Sequence, residues 1–309
     1  MKNIILIAVA ILILVGGGVY MLMSEDSQLV ENESTTPTAP TSATPEAQPE
    51  QATTTPEESA SDEPTSVLGT SAGGEVITAY HFGTGETELL FIGGIHGGYS
   101  WNTSLLAFEL IDWLEENEDK VPENVKVTII PVLNPDGLKV VTGTTGLFKA
   151  SAVNTAETVR ITGRFNANEV DINRNFDCEW ESVGTWQNRS VSGGDTPFSE
   201  PESAAVRAYV EANKPAAGVT WYSAAGGVYS SSCNNGISTE TRELTNLFAD
   251  AAGYTAHEEF DYYQITGDMV NWFAGQKIPA ISVLLTNHTD TEFSKNVAGL
   301  EAMLSKYAE

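Results

Sequence analysis

Hydrophobic positions divide the chain into three regimes. Residues 4–23 are uniformly apolar, 24–66 carry almost no large apolar side chain, and 67–309 alternate short apolar runs with stretches of helical period. Segments 75–81 and 88–95 are rich in β-branched and apolar residues around a Gly-Thr-Gly turn, which predicts two strands. Leu105, Leu106, Phe108, Leu110, Ile111 and Leu114 recur at helical spacing and predict a helix over 101–116. A strand over 125–132 runs into Asn134-Pro135-Asp136-Gly137, which reads as a tight turn. Residues 142–196 show little periodicity, and an irregular stretch of that length inside a compact domain is usually functional. Ser199 suits a helix N-cap ahead of Pro201, and Glu200 and Glu202 suit the positive helix end, so a helix is expected to about 212. Strands are expected over 217–222 and 280–285, and helices over 239–252, 267–274 and 290–307. Unbroken apolar strands alternating with helices imply an α/β sheet covered on both faces. Sites in such sheets lie at the carboxyl ends of the strands, and His96, Asn134, Tyr222 and Thr286 all fall at strand ends.

The apolar run 4–23 is long enough to span a bilayer as a helix. Lys2 precedes it and Glu25 and Asp26 follow it, so the positive-inside rule places the N-terminus in the cytoplasm and the rest outside. No small-x-small cleavage site stands out, which favours an uncleaved, single-pass anchor in the cell membrane over a signal peptide. A cleaved segment would instead yield a secreted protein. Residues 24–66 are Thr, Pro, Ser, Ala and Glu with ten carboxylates and no Lys or Arg, a composition that cannot bury enough apolar surface to order itself. They read as a disordered tether that could hold the domain up to ~130 Å from the membrane.

Residues 67–309 have the size of one domain. Removing the tether's ten carboxylates and Lys2 from the formal −27 leaves −18. That balance argues against nucleic acid and against docking on anionic lipid. Cys178 and Cys233 are the two cysteines, and outside the cytoplasm such a pair is expected to be bridged.

The blocks GGIHGGYSWN, PVLNPDG, VDINRNFDCEW, TPFSEPES and the 263–272 stretch, in this order, resemble the zinc carboxypeptidase family of the carboxypeptidase A type over about 77–308. The resemblance implies a mixed, mostly parallel sheet flanked by helices. It also implies a zinc site built on His-x-x-Glu after one strand and a distant His at the end of another, since zinc takes about three protein ligands and an open water position. His96 matches the first ligand. The Glu position is Tyr99 by strict count, or Ser100 if one residue is inserted to keep Trp101 in register. The distal His is replaced by Tyr222 in Trp221-Tyr222-Ser223. The family's general base, a Glu on a late strand, falls at Leu284, with Leu285 the near rival. One ligand of three remains, and a lone imidazole cannot retain zinc, so no cofactor is expected.

The substrate clamp is retained in the resemblance. Asn173 and Arg174 match the pair that grips a peptide's C-terminal carboxylate, a bidentate task that suits a guanidinium. Arg164, or less directly Arg160, matches the arginine that steadies the carbonyl oxyanion, across a loop shorter than in the best-known members. Tyr263 matches the tyrosine that closes over substrate, and Val270 falls near the base of the side-chain pocket, implying an apolar preference. Plainer readings stand beside these: His96 as a turn residue with satisfied hydrogen bonds, Arg174 as a bridge between loop carbonyls, Tyr263 as packing. The expectation is a membrane-tethered, extracytoplasmic carboxypeptidase-like domain without peptidase activity that binds peptide C-termini or similar carboxylates. One alternative is an active zinc carboxypeptidase with a rearranged ligand set, and another is a structural or partner-binding surface protein.

Overall fold

A computed structural model describes residues 63–309, which belong to a compact unit, Glu58–Glu309. The apolar run 4–23 and nearly all of the tether lie outside the described residues. Among the described residues no helix is long and apolar enough to cross a membrane.

Among the described residues ten strands and seven α-helices follow in chain order: β1 (Thr65–Thr70), β2 (Val76–Phe82), β3 (Thr87–Ile92), α1 (Trp101–Glu116), β4 (Val125–Ile130), α2 (Pro135–Thr142), α3 (Glu157–Thr162), β5 (Val183–Trp186), β6 (Arg189–Ser192), α4 (Pro201–Asn213), β7 (Ala217–Ser223), β8 (Gly227–Ser230), α5 (Thr239–Ala252), β9 (Ala256–His257), α6 (Met269–Gly275), β10 (Ala280–Leu285) and α7 (Phe293–Tyr307). Eight strands form one sheet in the order β1-β2-β4-β3-β7-β10-β8-β9, while β5 and β6 make a separate hairpin. The centre, β4-β3-β7-β10, is parallel. β1, β2 and β8 join antiparallel. The expected mixed, mostly parallel sheet flanked by helices is present.

Strand alternation divides the core in two. Leu89, Phe91, Val127, Trp221 and Val283 point to the face covered by α1, α5 and α7. Leu90, Ile92, Ile130, Tyr222 and Leu284 point to the face covered by α4 and α6. Leu106, Leu110 and Leu114 of α1 are fully buried, each contributing about 1.5–3 kcal/mol.

Several expectations change in detail. Asn134-Pro135-Asp136-Gly137 begins α2 rather than forming a free turn: Asn134 Oδ1 accepts from Gly137 N, and Pro135 takes the first helical position. The residue types that favour turns also cap helices, so the local signal is ambiguous. The N-cap of α4 is Glu200, not Ser199, whose hydroxyl instead donates to Glu200 Oε1. α7 starts at Phe293 because Asn287 Oδ1 first accepts from the N–H groups of Thr289 and Asp290, closing an Asx-type turn. The region 142–196 contains α3, the β5–β6 hairpin and a 3₁₀ turn, Ile172–Arg174. β1 begins at Thr65, two residues before the expected domain start.

β3 pairs with β4 on one side and β7 on the other, so the connection after β3 runs one way across the sheet and the later strands run the other. The crevice beyond the carboxyl ends of β3 and β7 is therefore where the strand order reverses, the place an open α/β sheet offers a ligand.

Candidate functional site

That crevice holds a cavity of about 850 Å³, within the usual range of roughly 300–1,000 Å³ for ligand sites. Of the four residues expected at strand ends, His96 and Tyr222 line it. Asn134 is instead spent on capping α2 and on the Arg164 carbonyl, and Thr286 donates to Glu292 outside the cavity.

His96 follows β3 on a tight 3₁₀ turn, Gly97–Ser100, that leads into α1. Gly97 has φ +43°, and a Cβ there would come within 2.7 Å of the Gly163 carbonyl oxygen, so only glycine lets the chain turn against that neighbouring loop. The imidazole is buried, yet neither ring nitrogen has a hydrogen-bond partner. This differs from the satisfied turn histidine weighed from sequence. The nearest carboxylate oxygen, Asp171 Oδ1, is 3.7 Å from Nε2, beyond hydrogen-bonding distance. Burial, reinforced by Arg164, holds the ring well below its ordinary pKa, so it is neutral and presents one donor and one acceptor.

The residues around it are not free. Tyr222 packs its ring 5.4 Å from His96 and donates its hydroxyl to Asn173 Oδ1 at 3.3 Å. Burial, and then the nearby Asp268, push this phenol well above its usual range and keep it protonated. Ser100 is buried with an unpartnered hydroxyl, and Leu284 presents an aliphatic wall. The Tyr99 ring meets Trp186 and His288 edge-on, each at 4.8 Å.

A charged shell supports the floor. Arg164 donates from Nε and Nη2 to Asp171 Oδ2 at 2.9 and 2.7 Å, and both residues are buried. The arginines beside Asp171 outweigh its desolvation and hold its pKa below the ordinary value. Asn173 donates to Asp268 Oδ2 at 2.7 Å and accepts from Met269 N at 3.1 Å. Arg174 donates from Nε and Nη2 to the Thr185 carbonyl and from Nη1 to its own neighbour, the Asn173 carbonyl. The bridging role weighed from sequence is thus present, but a guanidinium has five N–H groups and two remain unshared. Gly267, at φ +60°, packs so closely that a Cβ would lie 2.1 Å from the Arg174 carbonyl oxygen. Tyr263 lines the cavity with its ring centre 6.0 Å from the Arg174 guanidinium. Val270 does not line it. That side chain packs with Met269, Trp272 and Phe273 in the core, because α6 turns this face inward, and Leu284 and Ile265 provide apolar wall instead.

The zinc carboxypeptidase model matches residues 57–296. The chain belongs to the zinc carboxypeptidase family. Carboxypeptidase D of Mus musculus is 28% identical over 134 residues, which covers 41% of this chain and 8% of that protein. The chain therefore spans less than a tenth of that relative's length. Among solved structures, thrombin activatable fibrinolysis inhibitor superposes with TM-score 0.64 at 16% identity, covering 79% of this chain and 69% of the other. The murein-tripeptide amidase of Escherichia coli O157 superposes with TM-score 0.54 at 17% identity, covering 80% and 92%. At such identities the likeness establishes the fold alone.

Against this zinc carboxypeptidase frame, the residues present do not fit a zinc site. Around His96 stand a protonated phenol, the hydroxyl of Ser100 and a carboxylate whose Oδ2 is held by Arg164 and whose Oδ1 accepts from Asn173 N. Among the described residues no three His, Cys, Asp or Glu side chains converge on one point, whereas zinc needs about three such ligands. Leu284 cannot accept a proton. Asp171 and Asp268 were missed as site residues. Asp171 lies two positions before Asn173, within the block already singled out, while Asp268 arrives from α6 and only the fold places it there. His288 and Trp186, distant in sequence, also reach the cavity. Cys178 and Cys233 are bridged as expected, tying the segment after Arg174 to the loop after β8.

Proposed function

We propose that this domain binds the C-terminal carboxylate of a peptide in the cavity and does not hydrolyse the peptide through zinc. The observation that carries the reading is a contrast within one cavity. Arg174 is fixed by two carbonyls and keeps two N–H groups unshared, while the centre beside it lacks a ligand set and a base. A carboxylate accepting from that rigid fork gains charge-assisted hydrogen bonds without ordering a flexible side chain. Neutral His96, with both nitrogens free, can donate to a carbonyl and accept from an amide of the same peptide. The proposal includes tethering by residues 4–23 outside the cytoplasm. The apolar run and its flanking charges support this, and the disulfide agrees with an oxidising compartment.

Calorimetry with short peptides as free acids and as C-terminal amides tests the clamp without altering the protein. This matters because truncating Arg174 would also release the Thr185 and Asn173 carbonyls. The free acid should bind about tenfold or more tighter. Equal affinity sinks the clamp. Near-stoichiometric zinc in protein purified without chelator, with chelator-sensitive release of a terminal residue, would overturn the inactive assignment.

A further inference from the structure

A second cavity of about 190 Å³ adjoins the first and shares Tyr99, Trp186 and His288 with it. Arg160, from α3, and Arg189, from the start of β6, line its other side. The Arg160 guanidinium lies 5.5 Å from the centre of the Tyr99 ring, and that of Arg189 lies 5.6 Å from the Trp186 ring. Arg164 stacks on the same Trp186 ring at 4.4 Å. Four of the chain's six arginines therefore border these two cavities, in a protein with 42 carboxylates and 15 Lys and Arg together.

Arg164 is neutralised by Asp171, whereas neither Arg160 nor Arg189 makes an ion pair with any described residue. Arg160 Nε is buried without any hydrogen-bond partner. Exposed Glu157 lies on the same lip but bonds to neither arginine. In a chain this rich in acid, half-buried Arg160 and exposed Arg189 lie near aromatic rings beside an open cavity, and no acidic side chain among the described residues pairs with either. His288 adds no charge, since burial and the arginines lower its pKa to about 4.

We infer that this cavity is a second anion subsite, and that the ligand is an acidic peptide. Its terminal carboxylate sits at Arg174, and a carboxylate side chain within its last few residues sits between Arg160 and Arg189. The inference rests on the terminal clamp proposed above. Two carboxylate positions also discriminate against peptides of the wrong spacing, because one carboxylate would then lack its arginine partner.

The test is calorimetry of the full chain with acetylated pentapeptide acids ending in Leu, carrying Glu or Gln at each upstream position in turn. At one position Glu should bind about tenfold tighter than Gln. Combining Arg160→Gln with Arg189→Gln should abolish that preference and leave the acid-over-amide preference intact. Equal affinity for Glu and Gln at every position, with acid still preferred over amide, overturns the second subsite alone. Loss of both preferences in the unmodified protein overturns the clamp as well. The peptide series decides the matter even if the double variant folds poorly.

Discussion

Two buried polar clusters lie against the same face of the sheet, at opposite ends of its strands, and they are built on opposite principles. At the amino end of β3, Glu88 accepts from Thr128 Oγ1 and from Tyr209 and faces Lys126 Nζ at 3.3 Å. Thr128 in turn accepts from His81 Nδ1 at 3.0 Å, and His81 Nε2 meets Ser66 Oγ at 2.8 Å. Hydrogen bonds run from each group there to the next, and Glu88 Oε2, which accepts none, faces the Lys126 ammonium instead. At the carboxyl end, His96 has both nitrogens free, Ser100 has no partner and Arg174 keeps two N–H groups in reserve. Leaving such groups unmet is unfavourable unless something outside the chain meets them. The difference separates a cluster whose groups mostly meet one another from one whose groups are left open to the ligand proposed above.

That contrast can be broken most forcefully in the layer between site and fold. Asp171→Ala would leave Arg164 buried and unpaired, and we expect a loss of about 3–5 kcal/mol in chemical denaturation. A loss under about 1 kcal/mol would show that the charged shell is not structural. In the closed cluster, Tyr209→Phe removes a donor to the buried Glu88 carboxylate and should lower stability by about 1.5–3 kcal/mol. The matching change in the open cluster, His96→Gln, has no internal hydrogen bond to lose. We expect it to shift the unfolding free energy by less than about 1 kcal/mol while weakening peptide binding. A stability loss equal to that of Tyr209→Phe would erase the distinction.

The smallest effect concerns pH. Burial, and then Lys126, lower the His81 pKa in the folded state. The unfolded chain therefore takes up this proton first, below about pH 6.5, and the contribution of His81 falls as pH falls. Glu202, Glu109 and Asp268 carry raised pKa values and act in the opposite sense, but they are common to the parent and to His81→Gln. Between pH 7 and 5.5 the parent should lose more stability, or gain less, than His81→Gln. Equal changes would mean that His81 does not titrate differently on folding.

Much of the fold was legible because it rests on period and breadth. The helix at 101–116 and the strand at 280–285 match their observed ends, since several apolar residues specify each. Boundaries set by one polar residue were less legible: Ser199 and Asn134 each suit more than one local role. At the site, the positions of His96, Tyr222 and Leu284 followed from motif order, and all three line the cavity. Val270 was misplaced because a one-residue difference in helix phase carries a side chain from the cavity into the core.

The chain's covalent order alone determined which chemistry was available: one imidazole in the centre, a phenol and an aliphatic side chain where ligand and base would stand, and arginines in a domain dominated by acid. Only the tertiary structure decided which of these groups are already occupied. Asp171 binds Arg164 rather than His96, Asn173 binds Asp268 from ninety-five residues away, and Arg160 and Arg189 find no partner among the described residues. A hydrogen bond depends on approach to about 3 Å in the right direction, and no property of a residue's own neighbours in sequence reports that distance.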